Sequence, residues 1–182
     1  MSMKNDFIMP IIVPTILCLL VSWALAVGNN MTQPIIEEAA AQRAEIARKE
    51  VIPQANGFEL MDIERLQQES GFPKTINEIY RTTNNTGFIF IVSSSGYGGE
   101  ILLICGISPD GKVINTATLA QNETKGLGTP IFEEPHAGQY RGRDKNSIED
   151  VAAISGATIS SKAFKKGIRD SFEAFEFVKG AK

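Results

Sequence analysis

Apolar positions fall into three textures along the chain. Residues 7–27 pass without a charge, a run of roughly 21 residues that is long enough, at about 1.5 Å per residue, to cross a hydrocarbon core of about 30 Å. Residues 76–119 hold four short runs rich in Ile, Val, Leu and Thr, cut by turn residues, which is a β texture. Residues 160–178 place Ala163, Phe164, Ile168, Phe172, Phe175 and Phe177 near a helical period, so an amphipathic helix with an aromatic core stripe is predicted there.

The first stretch predicts a retained membrane anchor. Ala24-Leu25-Ala26 has the small-x-small form of a cleavage site, but the apolar run exceeds the usual signal-peptide core of about 7 to 15 residues. Trp23 suits the interface, and lipid is its expected surrounding. Lys4 precedes the span and no Lys or Arg comes after it until Arg43. Positive-inside bias therefore predicts a single-pass protein of the cell (inner) membrane, with a cytoplasmic N-terminus and the remainder on the extracytoplasmic side.

Beyond the anchor, residues 31–49 read as helix, with Pro34 in the first turn, Glu37 and Glu38 at the positive end of the dipole, and Ala39 to Ala41 of high propensity. Pro53, Gly57, Gly71 and Pro73 interrupt the next stretch, and 58–68 reads as a short amphipathic turn. Strands are expected over 76–83, 88–93, 100–107 and 112–119. Asn84-Asn85-Thr86-Gly87 and Ser108-Pro109-Asp110-Gly111 form the hairpin turns, the second of type I. Residues 131–144 read as a short turn or helix and then loop. The fold class is α+β: an N-terminal transmembrane helix, then a bent antiparallel sheet packed against helices. The expected division is 1–28 for a cytoplasmic tip and anchor, 29–74 for a helical spacer, and 75–182 for the folded domain.

Length and charge narrow the function. At 182 residues there is room for one modest domain with appendages. A net charge of −3 gives no basic footprint, and nucleic acid is set aside. Cys18 lies in the anchor and Cys105 in a strand, so neither a disulfide framework nor a cysteine metal site is expected. His136 is the only histidine and reads as a surface loop residue, and no paired-carboxylate or triad constellation appears.

Three small-residue segments carry the candidate chemistry. Ser155-Gly156-Ala157-Thr158-Ile159-Ser160-Ser161 leads into the C-terminal helix. Gly156 allows close backbone approach, and the free N–H groups of a first helical turn suit a phosphate. Ser155 can equally be a plain helix cap, and hydroxyls such as that of Thr158 are weak nucleophiles without help. Lys162 stands near enough in sequence to offset a phosphate charge. In Glu123-Thr124-Lys125-Gly126-Leu127-Gly128 two glycines flank Leu127, a tight loop whose amides can face one partner. Tyr97, the one large residue of Ser93 to Gly99, reads either as part of a plain loop or as a surface for a planar ring.

Taken together these strings resemble a known family. S-G-A-T-I-S-S from Ser155 is similar to the flavinylation motif of the FMN-binding domain family, found in the G subunit of the Rnf electron-transport complex and in the C subunit of the sodium-translocating NADH:quinone reductase. E-T-x-G-L-G from Glu123, and G-Y-G-G followed by an apolar strand and P-D-G, recur there in this order. Lys125 stands where the family often has Pro, and Ala152 where it commonly has Asp. The resemblance implies covalent FMN, joined by a phosphoester to Thr158 through a separate flavin transferase. It implies that the loop of Glu123, Thr124, Gly126, Leu127 and Gly128 lies near the flavin; Ser155, Gly156, Ala157 and the nearby Lys162 are the candidates around the phosphate, and Tyr97 a candidate surface for the ring. It implies an electron-carrying subunit, without an independent catalytic constellation, that works with the other subunits of a membrane Rnf-type complex coupling ferredoxin and NAD to ion movement. A reversible flavin-binding or sensor module, or an unflavinylated structural subunit, would carry the same turn.

Overall fold

A computed structural model describes residues 3–179, with side chains from Met9 onward. The chain divides into two units between Arg43 and Ala44. The first lies within α1 (Met3–Val51), a continuous helix with Pro10, Pro14 and Pro34 inside it. Pro34, expected at a helix start, is interior because helical structure begins far upstream; a proline removes only one backbone donor, and the neighbouring turns carry the rest. The apolar part of α1 includes an 18-residue window of mean hydropathy 2.4, none of it buried. It is long and apolar enough to cross a membrane.

The second unit is built on an antiparallel sheet. Among the described residues its strands are β1 (Phe58–Leu60), β2 (Ile76–Thr82), β3 (Phe88–Ser95), β4 (Glu100–Ile107) and β5 (Val113–Ala120), paired in chain order. The hairpin turns form where the polar strings predict. The Gly111 N–H donates to the Ser108 carbonyl at 2.9 Å, and the Thr82 N–H to the Gly87 carbonyl at 3.1 Å. Stretch 58–68, read as an amphipathic turn, instead gives the short edge strand β1 and a 3-10 turn, Leu66–Gln68. Strand β1 pairs with β2, where Glu59 faces Arg81.

Strand alternation sorts the side chains onto two faces. Phe90, Val92, Leu103, Cys105 and Ile107 meet Phe164, Ile168, Phe172 and Phe175 of α2 (Thr158–Val178). The intervening Ile89, Ile91 and Ile104 point the other way, where Val51 and Ile52, at and just beyond the end of α1, cover them. Each fully buried side chain of this size contributes roughly 1.5–3 kcal/mol, so the aromatic stripe is what holds α2 to the sheet. A register shift between Ile76 and Glu78 breaks the alternation in β2. That extra residue is why Ile76 and Ile79, three apart, share the α2-facing core. Buried Asp170 of α2 accepts a hydrogen bond from Thr75 Oγ1 at 2.6 Å and pairs with Lys166, fastening the helix to the start of β2.

Between β5 and α2 the chain makes three 3-10 turns among the described residues, at Thr129–Phe132, Ala137–Tyr140 and Ser147–Asp150. Phe132 and Tyr140 pack edge-on against Phe164, with ring centroids 5.7 and 5.5 Å apart, and so bring this connection against α2.

Candidate functional site

Three connections meet beside the first turn of α2. The β3–β4 connection is closed by the Gly96 N–H, which donates to the Gly99 carbonyl at 2.8 Å, and this turns Tyr97 outward. After β5, the Thr124 carbonyl accepts the N–H groups of Leu127 at 3.1 Å and Gly128 at 2.8 Å. The Thr129 hydroxyl accepts from the Gly126 N–H at 3.0 Å. That loop curls round on itself and exposes Leu127. The third piece is 154–161, where the Ala157 N–H donates to the Ile154 carbonyl at 3.0 Å.

Gly156 has φ +83°, in the left-handed region that a side chain resists. The turn thereby reverses just before the helix, and a Cβ on Gly156 would stand 3.3 Å from Leu127 Cδ1, so the second and third loops touch there. Ser155 does not cap the helix. The N-cap position is Ala157, with no side-chain cap bond. The stabilising bond runs backward instead: the Ile154 N–H donates to Ser161 Oγ at 3.1 Å. Among the described residues no protein acceptor meets the N–H groups of Thr158, Ile159 and Ser160. Three donors at the positive end of a 21-residue helix are thus left for a partner from outside.

A cleft of about 390 Å³ lies between these pieces. Tyr97 lines it from the first loop; Glu123, Thr124, Leu127 and Gly128 from the second; and Gly156, Ala157, Thr158, Ile159 and Ser160 from the third. Its size falls in the range of small-molecule and cofactor sites. Tyr97 is 72% exposed, Ile159 56% and Leu127 50%, three apolar side chains left facing water around one opening. Such a collar suits a planar ring, while Thr158 and the unpaired amides beside it suit an anionic group. Glu123 is only 8% exposed and forms no ion pair among the described residues.

Not every residue singled out in the sequence lines this cleft. Gly126 shapes the loop from outside, and Ser155 stays exposed before the turn. Lys162 lines a second cleft of about 410 Å³ with Lys165, Lys166 and Arg169. These residues sit at i, i+3, i+4 and i+7, one helix face. Glu149 satisfies two of them: its carbonyl accepts from Lys165 Nζ at 2.9 Å, and its carboxylate pairs with Arg169. His136, expected on the surface, is buried, its Nε2 without a partner among the described residues, and burial and the nearby Lys165 charge lower its pKa. Burial pushes the Tyr140 hydroxyl up to about 12. Sequence reasoning missed Ile159 as a wall of the cleft; the available signal was an apolar residue one step past Thr158, too early on α2 to reach the aromatic stripe.

The FMN-binding domain family model matches residues 96–173, the span that contains all three loops. The chain is similar to the G subunit of the Na(+)-translocating ferredoxin:NAD(+) oxidoreductase complex of Acetobacterium woodii, 32% identical over 173 residues covering 84% of each chain. It is similar to the G subunit of the proton-translocating ferredoxin:NAD(+) oxidoreductase complex of Clostridium ljungdahlii, 35% identical over 104 residues, 52% of this chain and 56% of that one. It is also similar to the G subunit of the ion-translocating oxidoreductase complex of Methanosarcina acetivorans, 29% identical over 173 residues, 90% of this chain and 91% of that one. With an FMN-binding domain laid over the three loops and near full-length likeness to the Acetobacterium protein, the chain belongs to the family of G subunits of ion-translocating ferredoxin:NAD(+) oxidoreductase (Rnf-type) complexes.

Proposed function

We propose that the protein is the flavin-carrying G subunit of an ion-translocating ferredoxin:NAD oxidoreductase complex and holds FMN through a phosphoester to Thr158. The observation that carries this reading is the position of Thr158: exposed, at the edge of the cleft, beside the unpaired amides of the first turn of α2. Those amides would hold the phosphate, and the exposed Tyr97, Leu127 and Ile159 would flank the ring. FMN, when bound, supplies the electron-transfer chemistry, while the protein sets its position and exposure. Lys162 acts at longer range, as a positive charge on the same helix.

Among the described residues Thr158 Oγ1 makes no hydrogen bond to a base, and it depends on a flavin transferase for attachment. On attachment its oxygen would bond to the FMN phosphorus of a phosphoanhydride donor as the anhydride P–O bond breaks, the second phosphate would leave, and the hydroxyl proton would pass to a base of the transferase. The apolar part of α1 is the single membrane span, in contact with lipid; the N-terminus is cytoplasmic and the flavin domain extracytoplasmic. Residues 1–28 anchor the protein, 29–74 space it and add β1 to the sheet, and 75–182 bind the flavin. The bond keeps the ring at high effective concentration beside the redox centres of the partner subunits.

The test is flavin fluorescence of the chain after denaturing electrophoresis, wild type against Thr158→Ala, each co-expressed with a flavin transferase. A fluorescent wild-type band that disappears in the variant supports the linkage. A dark wild-type band, with the transferase active on another substrate, refutes it and leaves a reversible or structural role.

A further inference from the structure

Glu123 is the one buried carboxylate of the cleft, and it touches all three loops. Oε1 accepts the N–H groups of Tyr97 at 2.8 Å and Gly98 at 3.1 Å. Oε2 accepts the Ser160 hydroxyl at 2.7 Å. Its own N–H donates to Gln121 Oε1 at 2.6 Å, which fixes the backbone from which the side chain springs. Space has been cleared for it: a Cβ at Gly96 would stand 2.1 Å from Oε1, and one at Gly128 would stand 2.8 Å from Oε2. The glycines on both sides therefore serve the carboxylate as well as the turns. Among the described residues every hydrogen bond its carboxylate accepts comes from a neutral donor, so its charge is held in place without being cancelled.

We propose that Glu123 is the positioning residue of the cleft, a latch that joins the loop under the ring to the helix turn bearing Thr158 and sets a fixed negative charge beside the flavin. This rests on the reading above only for the identity of the ligand; the latch itself is a property of the protein alone. It gives Ser160 a role distinct from that of Thr158: one hydroxyl holds the turn in place, the other is free for attachment. It also predicts two separable effects. Removing the side chain releases the loops, because two amides and a hydroxyl lose a charge-assisted acceptor. Replacing it with Gln keeps the acceptor for both amides and presents an NH₂ to Ser160 Oγ, so the shape survives while the charge goes. A negative charge beside a ring that gains electrons opposes reduction, so its removal raises the midpoint potential.

The test uses the full-length chain in detergent, as wild type, Glu123→Ala, Glu123→Gln and Ser160→Ala. Amide hydrogen exchange on flavin-free protein reads the latch. Tyr97 and Gly98 should exchange at least about tenfold faster in Glu123→Ala and within about twofold of wild type in Glu123→Gln. Ser160→Ala should loosen the first turn of α2 and leave the Tyr97 amide protected. Potentiometry on flavin-loaded protein reads the charge: whatever fraction of Glu123→Gln loads should show a higher midpoint potential than loaded wild type. Wild-type exchange at Tyr97 and Gly98 in a folded Glu123→Ala protein overturns the latch, as does loss of their protection in Glu123→Gln. An unchanged potential in loaded Glu123→Gln overturns the charge effect. Wild-type protein that takes up no flavin counts against the proposed function alone, because the exchange experiment still decides the latch.

Discussion

Gly156→Ala separates backbone strain from packing at the turn that enters α2. The residue has φ +83°, and an alanine forced to keep that conformation is strained by about 1–2 kcal/mol. The added methyl would stand 3.3 Å from Leu127 Cδ1, tighter than ordinary contact. Leu127 is half exposed and can yield by a few tenths of an ångström, so the backbone dominates the cost. Gly126→Ala is the matched control, with φ +77° and open space where its Cβ would go. Both variants should lose about 1–2 kcal/mol in urea unfolding of the Ala44–Lys182 body, followed in the full chain. If the 154–157 turn instead flips to a relaxed conformation, the cost moves into ligand binding. FMN loading or affinity should then fall by a factor of about 5 to 30 in Gly156→Ala with stability unchanged. A Gly156→Ala protein with wild-type stability and wild-type FMN loading would refute the argument, since the strain would then appear nowhere.

Asp170→Ala should lower stability by about 1–3 kcal/mol in denaturant unfolding, because the Thr75 hydroxyl loses its buried acceptor; little of the loss comes from Lys166, which is half exposed and rehydrates. Burial pushes the Cys105 thiol up to about 12. In a Cys18→Ser background the buried, protonated thiol is out of reach, so a thiol reagent should stay silent at pH 8 until denaturant is added. His136 has its pKa lowered in the fold by burial and by Lys165, so the unfolded chain takes up the proton first as pH falls. Its contribution is present above the unfolded value of about 6.5 and is lost as pH drops below it towards the folded value; the unfolding midpoint should fall over that window, and less so in His136→Gln.

The hairpins were legible because their signals are local. Ser108-Pro109-Asp110-Gly111 specifies a turn with four adjacent residues, and the alternation on either side says which face each side chain takes. Strand β1 was not, since three residues carry too little alternation to mark a strand, and its pairing with Arg81 and Thr82 depends on partners more than twenty positions away. Pro34 misled for a related reason: its preference for a first turn is a weak local bias, and the helix already running through it decides the matter. At the site, the motifs identified the loops but not the bonds between them. Glu123 could be read as a wall, yet its partners at Tyr97, Gly98 and Ser160 lie 26, 25 and 37 positions away. Lys162 looked close to Thr158 along the chain, but it falls into register with Lys165, Lys166 and Arg169 on a face that opens on a different cleft.

The scattered origin of the cleft bears on when it can exist during synthesis. Its walls come from 97, 123–124, 127–128 and 156–160, and α2 is the last helix described. Closing those loops carries an entropic cost that is offset only when the Phe164, Ile168, Phe172 and Phe175 stripe docks on the sheet. A chain still emerging from the ribosome, with Thr158 already made but the rest of α2 not yet docked, presents the Thr158 string without the pocket around it. A transferase that reads the folded turn rather than the string would modify only finished molecules, and bound flavin would then be a record that the domain had closed.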